Sequence, residues 1–312
     1  MRRDRMKGLL IAALAVLAMP LPAVGQSQAA PGSAQPEIPK LDEIAISPSR
    51  VELPMLPGTE KTLVVNLIYT SVTENAPPTR ILAYLGDWDI SREGKIGFYR
   101  AGTRPDSASP WLIYSPTEAT IIPGKTHPIR VTISVPADAT PGDHLAALFV
   151  EPRIDNIKLK QNAKQVQMKF RLAALFYIMV PDLKRKGALD NLKAEATDKA
   201  ILVTAKLKNS GNSHIRPVCS ARVTDLAGMV VAQIENLESL PLLGGNEMDM
   251  PVTFQKVLTP GTYTVLFRAD FGEGDIVEGR TPLVVKEYVN QKSIAQQPAE
   301  SGAKSEGGKV KQ

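Results

Sequence analysis

From Glu43 onward, apolar and polar residues alternate with a period of two, in short runs separated by Pro, Gly, Asn and Asp. The clearest run is 127–135, where Ile129, Val131, Ile133 and Val135 fall on one face and Arg130, Thr132 and Ser134 on the other. Such alternation is the mark of a half-buried antiparallel strand. Residues 62–69, 80–85 and 145–150 read as further strands, and 166–180 as one long strand or a strand with a bulge. Pro57-Gly58, Pro77-Pro78, Glu93-Gly94, Pro123-Gly124 and Pro141-Gly142 supply turns between them.

A second set of strands follows the segment Pro181-Asp182-Leu183-Lys184-Arg185-Lys186-Gly187. Ile201, Val203, Ala205 and Leu207 alternate up to the turn cluster Asn209-Ser210-Gly211-Asn212. Ile215, Cys219, Ala221 and Val223 lead to a hairpin turn at 225–228 and a strand at 229–234. Val252 and Phe254, then Tyr263, Val265, Phe267 and Ala269, and finally Val284 and Val285 mark the later strands. No long amphipathic helix breaks this spacing. The pattern predicts an all-β fold of two consecutive sandwiches, 41–183 and 184–288, each near the ~100 residues usual for that architecture. The short basic linker predicts a fixed angle between them, with a cleft.

The chain has 312 residues, 43% of them apolar, and a net charge of +5. That charge sits at the ends, because residues 26–289 carry as many basic as acidic side chains. A nucleic-acid partner is therefore not expected, since phosphate binding needs basic residues clustered on a folded surface. Residues 1–25 have a basic head, an apolar stretch at 9–19 and small residues ending in Ala23-Val24-Gly25. This is the build of a cleaved signal peptide, and the apolar stretch is too short to span a bilayer. Periplasmic export follows from it. Residues 26–40 read as a flexible leader and 289–312 as a disordered tail, neither able to bury enough to offset ordering.

With one Cys and three His, the chain can form no internal disulfide and offers little for a metal site. His127, His144 and His214 each lack a second His or Cys at ligand spacing. Asp143-His144 is not accompanied by a nucleophile elbow. Asp87-Trp88-Asp89 lacks the ligand spacing of a calcium loop and reads as a hairpin with a packed Trp. Cys219 shares parity with apolar neighbours and reads as a buried thiol. No catalytic residue, cofactor or metal is expected, and the protein reads as a non-enzyme.

Three segments then fall in one order: Ser47-Pro48-Ser49-Arg50-Val51-Glu52-Leu53, Ile122-Pro123-Gly124 before the strand at Ile129, and a hydrophobic strand ending Leu175-Phe176-Tyr177. With two immunoglobulin-like sandwiches behind an export signal, the chain resembles the PapD-like periplasmic chaperones of pilus assembly, as a divergent member. The resemblance implies that an arginine on the first strand and a lysine near the end of the first domain's last strand anchor the terminal carboxylate of a pilin subunit. It also implies that apolar residues of that last strand complete the subunit's sheet by strand addition. Arg50 falls at the arginine position. Ala174 falls at the lysine position and carries no charge; Arg171 is the nearest cation. Val166, Met168, Phe170 and Leu172 supply the alternating donor row.

Each of these residues also has a plainer reading: Arg50 as a surface partner of Glu52, the apolar row as ordinary core, and the lysine-bearing loop 153–164 as a solvated connection. The resemblance implies a chaperone that holds a secreted pilin-like subunit and passes it to an usher-like protein of the outer membrane. When free, the apolar row would self-associate or be covered by the 153–164 loop. A structural or adhesive envelope module is the alternative, and a carbohydrate-binding or hydrolytic protein built on Asp87 and Asp89 is a third class.

Overall fold

The structure is a computed structural model and describes residues 43–72, 75–153 and 170–287. The expected signal peptide, leader and tail lie outside the described residues, as do Val166, Met168 and the stretch 154–169 that includes most of the lysine-bearing loop.

Seventeen strands build the described chain, with a single 3-10 turn at Ser109–Trp111. No helix among the described residues is long and apolar enough to cross a membrane. The first ten strands are β1 (Glu43–Ser47), β2 (Arg50–Pro54), β3 (Glu60–Thr70), β4 (Thr79–Ile90), β5 (Ile96–Arg100), β6 (Leu112–Ser115), β7 (Glu118–Ile121), β8 (Thr126–Ser134), β9 (Gly142–Arg153) and β10 (Leu172–Val180). They form one sheet in the order β1-β3-β8-β6 and another in the order β2-β10-β9-β4-β5, with β7 also pairing β4. Between them lies a core in which Ile129, Val131 and Ile133 of β8 face Ala146, Leu148 and Val150 of β9. The alternation at 127–135 thus becomes one buried and one exposed face, because only one side of β8 meets the other sheet.

Residues 145–150 of β9 and the whole of β10 are apolar without interruption because both of their faces are covered. Ala146, Leu148, Val150, Ala174, Phe176 and Ile178 enter the core just described. Leu145, Ala147, Phe149 and Tyr177 join a second cluster on the outer face with Trp88, Ile90 and Leu243. Leu243 comes from the second sandwich, so that outer face is partly a junction. Trp88 is fully buried there, edge-on to Tyr177 with ring centroids 4.9 Å apart.

The second sandwich contains β11 (Gly187–Ala196), β12 (Ile201–Asn209), β13 (Val218–Thr224), β14 (Val230–Glu238), β15 (Glu247–Phe254), β16 (Gly261–Asp270) and β17 (Ile276–Val285). The sheets run β11-β12-β15 and β14-β13-β16-β17. Their core is filled by Val203, Ala205 and Leu207 against Cys219, Val223, Val265 and Phe267. The fold is therefore all-β, with two immunoglobulin-like sandwiches.

The turn at 209–212 carries the junction. Asn212 accepts the Lys184 N–H at 2.6 Å on its side-chain oxygen and donates to the carbonyls of Pro141 and Asp182 at 3.2 Å each. Gly211 lies so close to the linker that a Cβ would stand 1.9 Å from the Lys184 carbonyl oxygen, so only glycine fits. Asp143 at the start of β9 accepts hydrogen bonds from Ser213 Oγ at 2.9 Å, the His214 N–H at 2.5 Å and His214 Nδ1 at 2.6 Å. At the other end, Arg92 Nε meets both oxygens of Asp249 at 3.0 Å.

Candidate functional site

β2 runs parallel to β10, with Arg50 opposite Leu175 and Glu52 opposite Tyr177. Val51 between them enters the core, so Arg50 and Glu52 project together from the outer face. Period-two geometry also puts His214 and Arg216, just past the junction turn, on one side of their segment, and docking brings that side against β2. Arg216 donates to Glu52 Oε1 at 2.7 Å, Arg50 Nε lies 3.2 Å from the same oxygen, and His214 Nε2 lies 3.7 Å from it. Tyr177 floors the arrangement. The His214 ring packs on it at 4.5 Å, and the Arg216 guanidinium stands 5.8 Å from its centroid.

The electrostatics follow from this convergence. Burial works to raise the Glu52 pKa, but the hydrogen bond from Arg216 and the charges of His214, Arg216 and Arg50 outweigh it and hold the carboxyl below its usual range. Burial pushes the Tyr177 phenol up, with Arg216 opposing. A cavity of about 380 Å³ opens beside the cluster, lined by Glu52, His214, Arg216, Arg185, Phe271 and Asp275. Arg185 at its rim pairs with Glu273 at 3.5 Å.

Arg171 stands elsewhere. Four residues before Leu175, it is ~13 Å further along an extended chain. Its guanidinium lies over the rings of Phe149 and Phe98, at 4.5 and 4.9 Å, and donates to the Tyr84 hydroxyl at 3.3 Å. Tyr84 in turn donates a short hydrogen bond to Glu151. Ala174 points into the core and is wholly buried. The structure thus brings Arg50 together with Glu52 and Arg216, and sets Arg171 on an aromatic surface at the far end of the same sheet. Arg216 was not singled out from the sequence, and His214 was weighed only as a lone metal ligand. The available signal was the spacing His214-Ile215-Arg216, which matches the period of Arg50-Val51-Glu52 with complementary charge.

The backbone of β10 offers the second feature. β9 covers one edge along its whole length, whereas β2 covers the other edge only from Leu175 onward, where the Leu175 N–H donates to the Ser49 carbonyl at 2.9 Å. Among the described residues no strand pairs with that edge of Leu172, Ala173 or Ala174. Leu172 is half-buried with the parity of Ala174 and Phe176, and Phe170 before it is 54% exposed. Of the donor row, Phe170 and Leu172 therefore flank a strand edge with which no described strand pairs.

Asp87 and Asp89 have local roles. Asp87 is fully buried and accepts from Ser107, Ser109 and the backbone N–H groups of Gly102, Thr103 and Arg104. Asp89 is held by Arg104 at 2.6 Å and by the Tyr99 hydroxyl at 3.1 Å. Both carboxylates are committed to the loop after β5. Among the described residues no group of three or more His, Cys, Asp or Glu side chains could hold a metal ion.

No protein-family model matches the chain, and no curated protein matches it. Among solved structures, it is similar to a chaperone–tip adhesin complex of CFA/I fimbriae at 11% identity and a TM-score of 0.42, over 76% of this chain and 98% of that one. The Salmonella enterica SafB chaperone, solved in complex with the SafA pilin, gives 13% identity and a TM-score of 0.37 over 79% and 98%. The CupB2 chaperone of Pseudomonas aeruginosa gives 11% identity and a TM-score of 0.34 over 77% and 100%.

Proposed function

We propose that the protein is a non-enzymatic periplasmic chaperone that binds a secreted pilus- or fimbrial-type subunit by strand addition and delivers it to an usher-like assembly protein in the outer membrane. In this reading residues 1–25 are removed on export, 41–183 form the client-binding domain and 184–288 the second domain. The observation that carries it is the edge of β10 at Leu172–Ala174 with which no described strand pairs, lying beside Phe170 and Leu172 and ending at Arg50. An edge of this kind offers unpaired N–H and C=O groups next to apolar side chains, which a client with an incomplete sheet can use. Release needs no nucleotide, since a better-fitting strand can exchange for β10.

Isolation from the periplasm, with bound proteins identified by mass spectrometry and amide exchange measured on the complex, tests the proposal. A secreted subunit is expected to co-purify and to slow exchange at Leu172–Ala174. A protein that captures no subunit, and whose β10 amides exchange alike in all preparations, would overturn it in favour of an envelope structural module.

A further inference from the structure

The first three residues of β10 have one described neighbour where the residues after them have two. Leu172, Ala173 and Ala174 pair with Val150, Phe149 and Leu148 of β9, and no described strand pairs with their other edge. The Leu175 N–H points toward β2, at the Ser49 carbonyl. Strand alternation therefore turns the Ala173 N–H and C=O to the same side, and the Leu172 and Ala174 N–H groups to β9. A strand end held along one side opens readily. A frayed end is a poor template, because an added strand must order it before gaining each hydrogen bond.

Arg171, one residue before the strand, holds this end from the outer face of the sheet. Ala173 has too short a side chain to cover the Phe149 ring opposite it. The Arg171 guanidinium lies over that ring at 4.5 Å and over Phe98 at 4.9 Å, both within the ~6 Å reach of a cation–π contact. The rings are themselves fixed. Phe149 rests against Gly86, where a Cβ would stand 2.5 Å from its Cε2, and Phe98 is edge-on to it at 5.0 Å. Tyr84, tilted against Phe149 at 5.2 Å, accepts from Arg171 Nη1 at 3.3 Å and donates to Glu151. Burial and Glu151 push the Tyr84 phenol up, so it stays protonated as that donor. One side chain thus touches β4 through Tyr84, β5 through Phe98 and β9 through Phe149. A planar guanidinium can meet ring faces and still donate in its own plane, whereas a lysine ammonium is a compact point charge.

We propose that Arg171 is a positioning residue, clamping the start of β10 to the aromatic shelf of Tyr84, Phe149 and Phe98 so that the Leu172–Ala174 edge is already extended when a partner strand arrives. That the partner is a secreted subunit rests on the function proposed above; the clamp does not. Arg171 acts through the rings beneath it and touches no client.

The test is residue-resolved amide exchange in the free full-length protein, for wild type, Arg171→Gln, Arg171→Lys and Phe98→Leu, followed by capture of the co-purifying subunit with each. Arg171→Gln is expected to speed exchange at Leu172 and Ala174 by about tenfold, with Phe176, Ile178 and the melting temperature unchanged. Arg171→Lys keeps a charge near the rings and should recover part of the protection. Phe98→Leu removes one half-exposed ring and should loosen the same two amides with arginine still present. Subunit capture should fall in the order of the exchange rates. Equal exchange at Leu172 and Ala174 in wild type and Arg171→Gln would overturn the clamp. Faster exchange with undiminished capture would overturn the positioning role and leave Arg171 a brace of the free sheet. If wild type captures no subunit while Arg171→Gln still loosens the edge, the chaperone reading falls and the clamp stands.

Discussion

Asp87 shows how a single side chain can organise a loop without being a ligand. It sits on β4 with no exposed surface, and Ser107, Ser109 and three backbone N–H groups all donate to it. Burial works to raise its pKa, yet the hydrogen bonds from Ser107, Ser109, Arg104 and Gly102 outweigh it and hold the carboxyl below the usual range. A group depressed in this way stabilises the folded state above its unfolded value of about 3.9, and the contribution is lost as pH falls through the folded pKa. Asp87→Ala strands several donors and is expected to cost about 3 kcal/mol in urea unfolding at neutral pH. Relative to Asp87→Asn, the wild-type advantage should be full near pH ~6 and narrow below pH ~4. An advantage independent of pH would show that Asp87 is not the titrating anchor. Cys219 illustrates the opposite balance: burial alone pushes its thiol up to about 12, so it stays a small apolar filler of the second core.

At the scale of elements, β10 and the residues just before it look alike in sequence but are buried differently. From Ala174 on, the even positions of β10 fill the core, while Phe170, two residues before the strand, is 54% exposed beside the edge that no described strand covers. Phe176→Asp is therefore expected to bury an unpaired charge and to destabilise the free protein by several kcal/mol. Phe170→Asp should leave the melting temperature unchanged while weakening subunit capture. Thermal melting with pull-down measures both, and a large loss of stability in Phe170→Asp would show that this residue is core. The strands were legible because half-buried strands alternate, as at Ile129, Val131 and Ile133. The two-sided burial of β9 and β10 was less so, since their outer cover includes Leu243 from the other sandwich. Arg50 could be found on its own strand. Arg216 could not, because it lies 164 residues after Glu52 and meets it only through the docking of the two sandwiches.

The whole molecule is held at that docking, and burial decides which contacts set it. Arg92 and Asp249 make two 3.0 Å contacts at the rim, but the Arg92 side chain is about half exposed, where solvent screens an ion pair and side-chain entropy opposes it. Asp143 is almost entirely buried and gathers three hydrogen bonds from Ser213 and His214, directly beside the Gly211 approach to the linker. Removing its carboxylate leaves those donors buried without an acceptor, a penalty of about 1–3 kcal/mol that falls on the junction and not on either core. Arg92→Ala should therefore change neither the calorimetric profile nor the radius of gyration. Asp143→Ala is expected to split one unfolding transition into two and to broaden the angle between the sandwiches, seen as a larger radius of gyration by small-angle scattering. Because Arg216 reaches Glu52 only when the sandwiches are docked, the same variant should also break the Arg216–Glu52 contact, seen as a shift of the Arg216 Nε–Hε signal. If Asp143→Ala unfolds in a single transition at an unchanged radius, the angle is set instead by the apolar contact of Leu243 with Trp88 and Tyr177.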